Sequence, residues 1–133
     1  MSATVLVVDD DSDLREAVAD VLADAGYRVL TAEHGRAALD VLRDGRAPDL
    51  ILLDVMMPVM NGLDFAAQMR MDPRIASIPI IIFTAHADQA RVAEAVRAAA
   101  SLRKPLKVED LLGVVEAVAR GRTDEPAQPG GPP

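Results

Sequence analysis

The sequence contains no cysteine and no tryptophan, and only one tyrosine and two phenylalanines. Without cysteine there are no disulfides, no thiolate metal ligands and no cysteine nucleophile, and a reducing cytoplasm is the simplest compartment for such a chain. With so few aromatic rings there is no platform on which bases could stack. Basic residues are also short, with 14 Lys and Arg against 21 Asp and Glu and a formal charge of −7. That is the wrong sign for direct contact with a nucleic-acid backbone. No run approaches the ~20 apolar residues of a membrane span, so no membrane partner is expected. Met1-Ser2-Ala3-Thr4 lacks the basic segment and apolar run of a secretory leader.

What remains is a chain of 133 residues, half of them hydrophobic, long enough for one domain with one ordinary core. Short apolar runs alternate along it with amphipathic segments. Thr4–Val8, Tyr27–Ala32, Leu50–Leu53 and Pro79–Phe83 read as strands, with a short fifth near Ala100–Arg103. Continuously apolar, β-branched runs of this kind fit strands covered on both faces of a parallel sheet. Between them, helical spacing is visible in Leu14, Val18, Val21 and Leu22, then in Ala38, Leu39, Val41 and Leu42. Further helices are expected from about Gly62 to Met71, from Asp88 to about Ala98, and after Pro105, where Val108, Leu111, Leu112, Val115 and Val118 share one face. Gly26 and Gly45 are placed as helix stops. Five strand–helix units in series predict an α/β fold with a parallel sheet and right-handed crossovers. Residues 1–120 are expected to form the domain. Residues 121–133, rich in Pro, Gly and polar side chains, are expected to form a disordered tail, because they cannot bury enough apolar area to offset their ordering entropy.

In such sheets ligands bind beyond the carboxyl ends of the strands. Asp9 and Asp10 follow the first run, Asp54 the third, Thr84 the fourth, and Lys104-Pro105 the fifth. Each alone has an ordinary alternative: the acids as helix caps, the threonine as a strand-end hydroxyl, the lysine as a solvated side chain. On one rim they become a site. Three close carboxylates repel by about 4 kcal/mol per pair at an effective dielectric of roughly 20, so they require a cation. Mg²⁺ fits, since it takes one or two carboxylates and keeps waters that phosphoryl oxygens can replace. A lysine and a hydroxyl beside it suit a phosphoryl group, with Asp54 as nucleophile.

The order Val7-Val8-Asp9-Asp10, Leu52-Leu53-Asp54-Val55-Met56-Met57-Pro58 through Asn61-Gly62, Phe83-Thr84-Ala85 and Lys104-Pro105 resembles the receiver domain of response regulators in two-component phosphorelays, the chemotaxis regulators among them. The resemblance spans about residues 4 to 119. It implies a flavodoxin-like, doubly wound five-stranded sheet in the order 2-1-3-4-5 with five helices. It further implies Asp54 as phosphoacceptor, and Asp9, Asp10, Asp54 and the backbone carbonyl of Met56 around Mg²⁺. Thr84 and Lys104 would bind the phosphoryl group, and Pro105 would follow the lysine through an often-cis bond. The implied donor is a phosphohistidine on a sensor histidine kinase or a histidine phosphotransfer protein, and a downstream target protein would read the result. A monomer, or a weak dimer through the fourth helix, fifth strand and fifth helix, is expected.

Three positions depart from the family. Ser101 occupies the place of an aromatic switch residue; Thr84, Ser101 and Pro105 are the expected switch and readout positions, but a serine has no ring to supply the usual threonine–aromatic coupling. Arg97-Ala98-Ala99-Ala100, a run favouring helix, replaces a small Gly-Ala turn, and Leu106 replaces a phenylalanine. The expected function is a stand-alone, self-phosphorylating and self-dephosphorylating signalling domain without turnover of an external substrate. The alternatives are a receiver portion of a longer transcriptional regulator or an aspartyl-nucleophile phosphatase. The phosphatase would need a second acid where this chain has Met56. A flavin-binding protein of the same fold would need a hydroxyl- or Gly-rich loop where this chain has Asp9 to Asp13.

Overall fold

The computed structural model describes residues 3–45, 47–55, 61–84 and 89–124. Strands β1 (Thr4–Val8), β2 (Arg28–Ala32), β3 (Leu50–Asp54), β4 (Ile80–Thr84) and β5 (Ala100–Arg103) alternate with helices α1 (Ser12–Asp24), α2 (Gly35–Arg43), α3 (Gly62–Arg70), α4 (Gln89–Val96) and α5 (Val108–Asp124). All strand pairs are parallel, and the sheet order is β2-β1-β3-β4-β5. This is the doubly wound arrangement expected from the sequence.

The period-2 alternation of side chains along a strand divides the interior in two. Val5, Val7, Leu50, Leu52, Ile81, Phe83 and Leu102 face α1 and α5, where they meet Val18, Leu22, Leu111 and Val115. Leu6, Val8, Ile51, Leu53, Ile80 and Ile82 face the opposite way, onto Leu39 and Leu42 of α2, Phe65 and Met69 of α3, and Val96 of α4. Every residue of the central strand β3 is buried. Its unbroken apolar run is therefore a consequence of having helices on both faces.

The helix starts are fixed by side-chain caps. Asp11 accepts the amides of Asp13 and Leu14 at α1, and Asn61 accepts the amide of Asp64 at α3. His34 caps α2 by accepting the Ala37 amide on Nδ1 at 3.1 Å. Gly26 and Gly45 end their helices at φ 100° and 89°, the left-handed geometry expected of stop glycines.

Two boundaries differ from the sequence expectation. Helix α5 continues through Asp124, past Gly121, where composition began the tail. No proline lies between Pro105 and Pro126, so every residue in that span keeps the amide that continues the helical ladder, and glycine inside a helix costs only about 1 kcal/mol.

Helix α4 also ends at Val96, short of the expected Ala98. The Arg97 amide donates to the Glu94 carbonyl at 3.1 Å and the Ala98 amide to the Ala93 carbonyl at 2.9 Å, the paired bonds of a Schellman stop. Arg97 itself takes φ 56°, the position glycine usually fills. The Ala99 amide then joins the Ile80 carbonyl at 2.7 Å, and β5 begins. A second arginine supports this turn. Nη2 of Arg70, at the end of α3, donates to the carbonyls of Val96 at 3.1 Å and Arg97 at 3.4 Å, while Nη1 serves Ala76 and Ile78 in the segment leading to β4. A cation at the carboxyl end of α4 is favoured by the helix dipole. Burial lowers the Arg70 pKa, and the neighbouring Arg97 charge lowers it further.

Left-handed geometry at a residue with a Cβ costs about 1–2 kcal/mol. Arg97→Gly should therefore stabilise the domain by about 1 kcal/mol, read as a raised midpoint in chemical denaturation. An unchanged or lowered midpoint would show that the Arg97 side chain contributes more than its backbone strain costs.

Candidate functional site

The register of the sheet assembles the site. Val8 lies opposite Leu53, so the next residues, Asp9 and Asp54, stand level on adjacent strands. Asp54 lies opposite Phe83, and Thr84 opposite Arg103, which places Lys104 just beyond the end of β5. One carboxylate oxygen from each of Asp9, Asp10 and Asp54 lies within 4.8 Å of the others. Asp9 is fully buried and Asp54 is 3% exposed, whereas Asp10 is open to solvent.

Asp9 is fastened on three sides. Its amide donates to the Ala32 carbonyl at 3.2 Å. Its Oδ1 accepts the Asp11 amide at 2.9 Å, and its carbonyl accepts Nη1 of Arg15 at 2.8 Å. Its Oδ2 is buried with no hydrogen-bond donor in reach among the described residues. Nζ of Lys104 is 3.9 Å away, within ion-pair range but outside hydrogen-bond distance. The same Nζ stands 3.5 Å from Oδ2 of Asp54 and 5.1 Å from the centroid of the Phe83 ring, so the ring face holds the ammonium from below.

Buried carboxylate oxygens without donors are costly. Three carboxylates facing one ammonium leave two negative charges to be offset, the charge of one divalent cation. The donors are all oxygens, the ligand set of a hard ion such as Mg²⁺. The orphaned Oδ2 of Asp9 is the structural observation that fits such an ion.

A family model for the response regulator receiver domain matches residues 5–116. The chain belongs to this family. It is 38% identical over 130 residues to the DNA-binding response regulator MtrA of Mycolicibacterium paratuberculosis, a match covering 96% of this chain and 56% of that protein. To the phosphate regulon transcriptional regulatory protein PhoB of Pseudomonas aeruginosa it is 36% identical over 134 residues, covering 96% and 58%. The chain thus spans little more than half the length of these relatives. Among solved structures, the chemotaxis response regulator CheY4 of Vibrio cholerae superposes with a TM-score of 0.81 at 38% identity, over 89% of this chain and 99% of that one.

Within this receiver domain, Asp9, Asp10, Asp54 and Lys104, named from the sequence, come together at one rim. The Lys104–Pro105 bond is cis. Ser101 is exposed on β5. Thr84 ends β4, but its side chain lies outside the described residues, as do Met56 and its neighbours Met57 and Pro58. Arg15 was missed. Its place one turn into α1 carries no sequence signal, because its partner is a main-chain carbonyl.

Gly62 closes the rim from below. Its amide donates to the Val55 carbonyl at 2.9 Å, and a Cβ there would stand 2.9 Å from the Val55 Cα and 3.4 Å from the Asp54 carbonyl oxygen. Gly62→Ala should therefore destabilise the receiver by about 1–3 kcal/mol, measured by equilibrium denaturation. A loss below about 0.5 kcal/mol, the ordinary range for a surface change, would mean that α3 can withdraw from β3 at no cost.

Proposed function

We propose that the domain accepts a phosphoryl group on Asp54 and passes the change to a protein-binding surface. The observation that carries this reading is the nearly buried Asp54 carboxylate, 3.5 Å from the Lys104 ammonium and grouped with Asp9 and Asp10. An Asp54 oxygen attacks the phosphorus of a phosphohistidine in line. The phosphorus–nitrogen bond breaks, and the imidazole leaves with the electron pair. Lys104 offsets charge on the transferred oxygens. Asp9, Asp10, Asp54 and the Met56 carbonyl are assigned to a Mg²⁺ ion, which supplies charge neutralisation at the reacting oxygens. Thr84 is assigned to the phosphoryl group through its hydroxyl. Attack of water on the acyl phosphate returns the carboxylate, so the domain resets without turning over an external metabolite.

The donor is a sensor histidine kinase or a histidine phosphotransfer protein. The output is either a separate target protein or an attached effector. Similarity to MtrA and PhoB, whose descriptions are DNA-binding and transcriptional, favours a receiver that governs a DNA-binding region elsewhere in a longer chain. The receiver itself, at −7, does not read nucleic acid.

Incubation with acetyl phosphate and MgCl₂ should add the mass of one phosphoryl group, observed by intact mass spectrometry. Asp54→Asn should remove the product, and EDTA should prevent it in the wild type. Stoichiometric labelling of the variant at another residue, or full labelling in chelator, contradicts the assignment.

Ser101 carries no ring to move between buried and exposed positions, so it is assigned no relay with Thr84. Ser101→Tyr should leave acetyl-phosphate labelling within twofold of wild type, about 0.4 kcal/mol, while changing affinity for the partner. Collapse of labelling would instead tie this position to the chemistry.

A further inference from the structure

The turn between β1 and α1 is a closed ring of hydrogen bonds. The Asp11 amide donates to Oδ1 of Asp9, and Oδ1 of Asp11 accepts the amides of Asp13 and Leu14. The Asp11 carbonyl accepts the Arg15 amide at 2.8 Å. Nη1 of Arg15 then returns to the Asp9 carbonyl at 2.8 Å. Of these bonds, the last runs from the first turn of α1 back to the main chain at the end of β1. Together with the Asp9 amide on Ala32, it fixes the two peptide groups that flank the Asp9 Cα. The outcome is an acid with Oδ1 engaged and Oδ2 buried without a donor among the described residues, held beside Asp10 and Asp54.

We propose that Arg15 is a positioning residue for the divalent cation, and that it acts through the Asp9 main chain rather than by touching the ion or the phosphoryl group. The inference rests on the metal reading given above. Hydrogen bonds that orient a metal ligand commonly contribute 10–100-fold to affinity. A purely electrostatic role has the opposite sign: a guanidinium near the rim repels a cation, and its removal would tighten binding. The direction of the effect therefore separates the two.

The test is a calorimetric titration of MgCl₂ into the unphosphorylated protein, with amide NMR spectra to confirm that each variant is folded. Arg15→Met should weaken Mg²⁺ binding about tenfold. Unchanged or tighter binding in a folded Arg15→Met protein overturns the inference. A second measurement needs no variant. Coupling between two sites is reciprocal, so saturating Mg²⁺ should slow solvent exchange of the Arg15 guanidinium hydrogens in the wild-type protein. Unaltered exchange in a protein that does bind Mg²⁺ also overturns it. A wild-type protein that shows no Mg²⁺ binding at all overturns the metal reading, and this inference with it.

Discussion

Mutual repulsion among acids that the backbone does not allow to separate governs the site. Parallel pairing sets Val8 against Leu53, and the residues that follow these two are both aspartates. Neither can rotate far, because Asp9 is held at its amide, its carbonyl and one carboxylate oxygen, and Asp54 ends a strand buried along its whole length. Strand pairing and apolar burial thus offset the electrostatic cost of bringing these charges together. The stored repulsion is what gives the rim its demand for positive charge, met in part by Lys104.

The two cores explain how so small a domain sustains that arrangement. Each central strand contributes alternate residues to opposite faces, so no strand slips by one residue without turning a buried set outward on both sides at once. The register that aligns Asp9 with Asp54 is therefore specified by Leu, Ile and Val side chains far from the chemistry. Sites at the carboxyl ends of parallel strands inherit their geometry from the packing beneath them.

The strands and the rim were legible because two independent periodicities announced them. Apolar runs marked β1, β3 and β4, and polar residues at the ends of those runs marked the site. Asp9, Asp10, Asp54 and Lys104 needed no knowledge of distance, only of strand order. What sequence could not convey was structure made through main-chain atoms. Arg97 fills a left-handed position without being glycine, and helix propensity pointed the wrong way across Arg97–Ala100. The compensation comes from Arg70, 27 residues earlier, which bonds carbonyls that any residue type would present. Arg15 and the cap by His34 escaped for the same reason, since a side chain that serves the backbone leaves no complementary residue to recognise. Gly121 misled through composition, which registers glycine but not the absence of proline around it.

The grip of Arg70 has a mechanical consequence. Its two terminal nitrogens reach two separate stretches of chain, the approach to β4 and the exit from α4. While those bonds persist, the carboxyl end of α4 is a fulcrum fixed to α3. Any displacement of α4 that keeps these bonds leaves Val96 and Arg97 in place and is greatest at the Gln89 end.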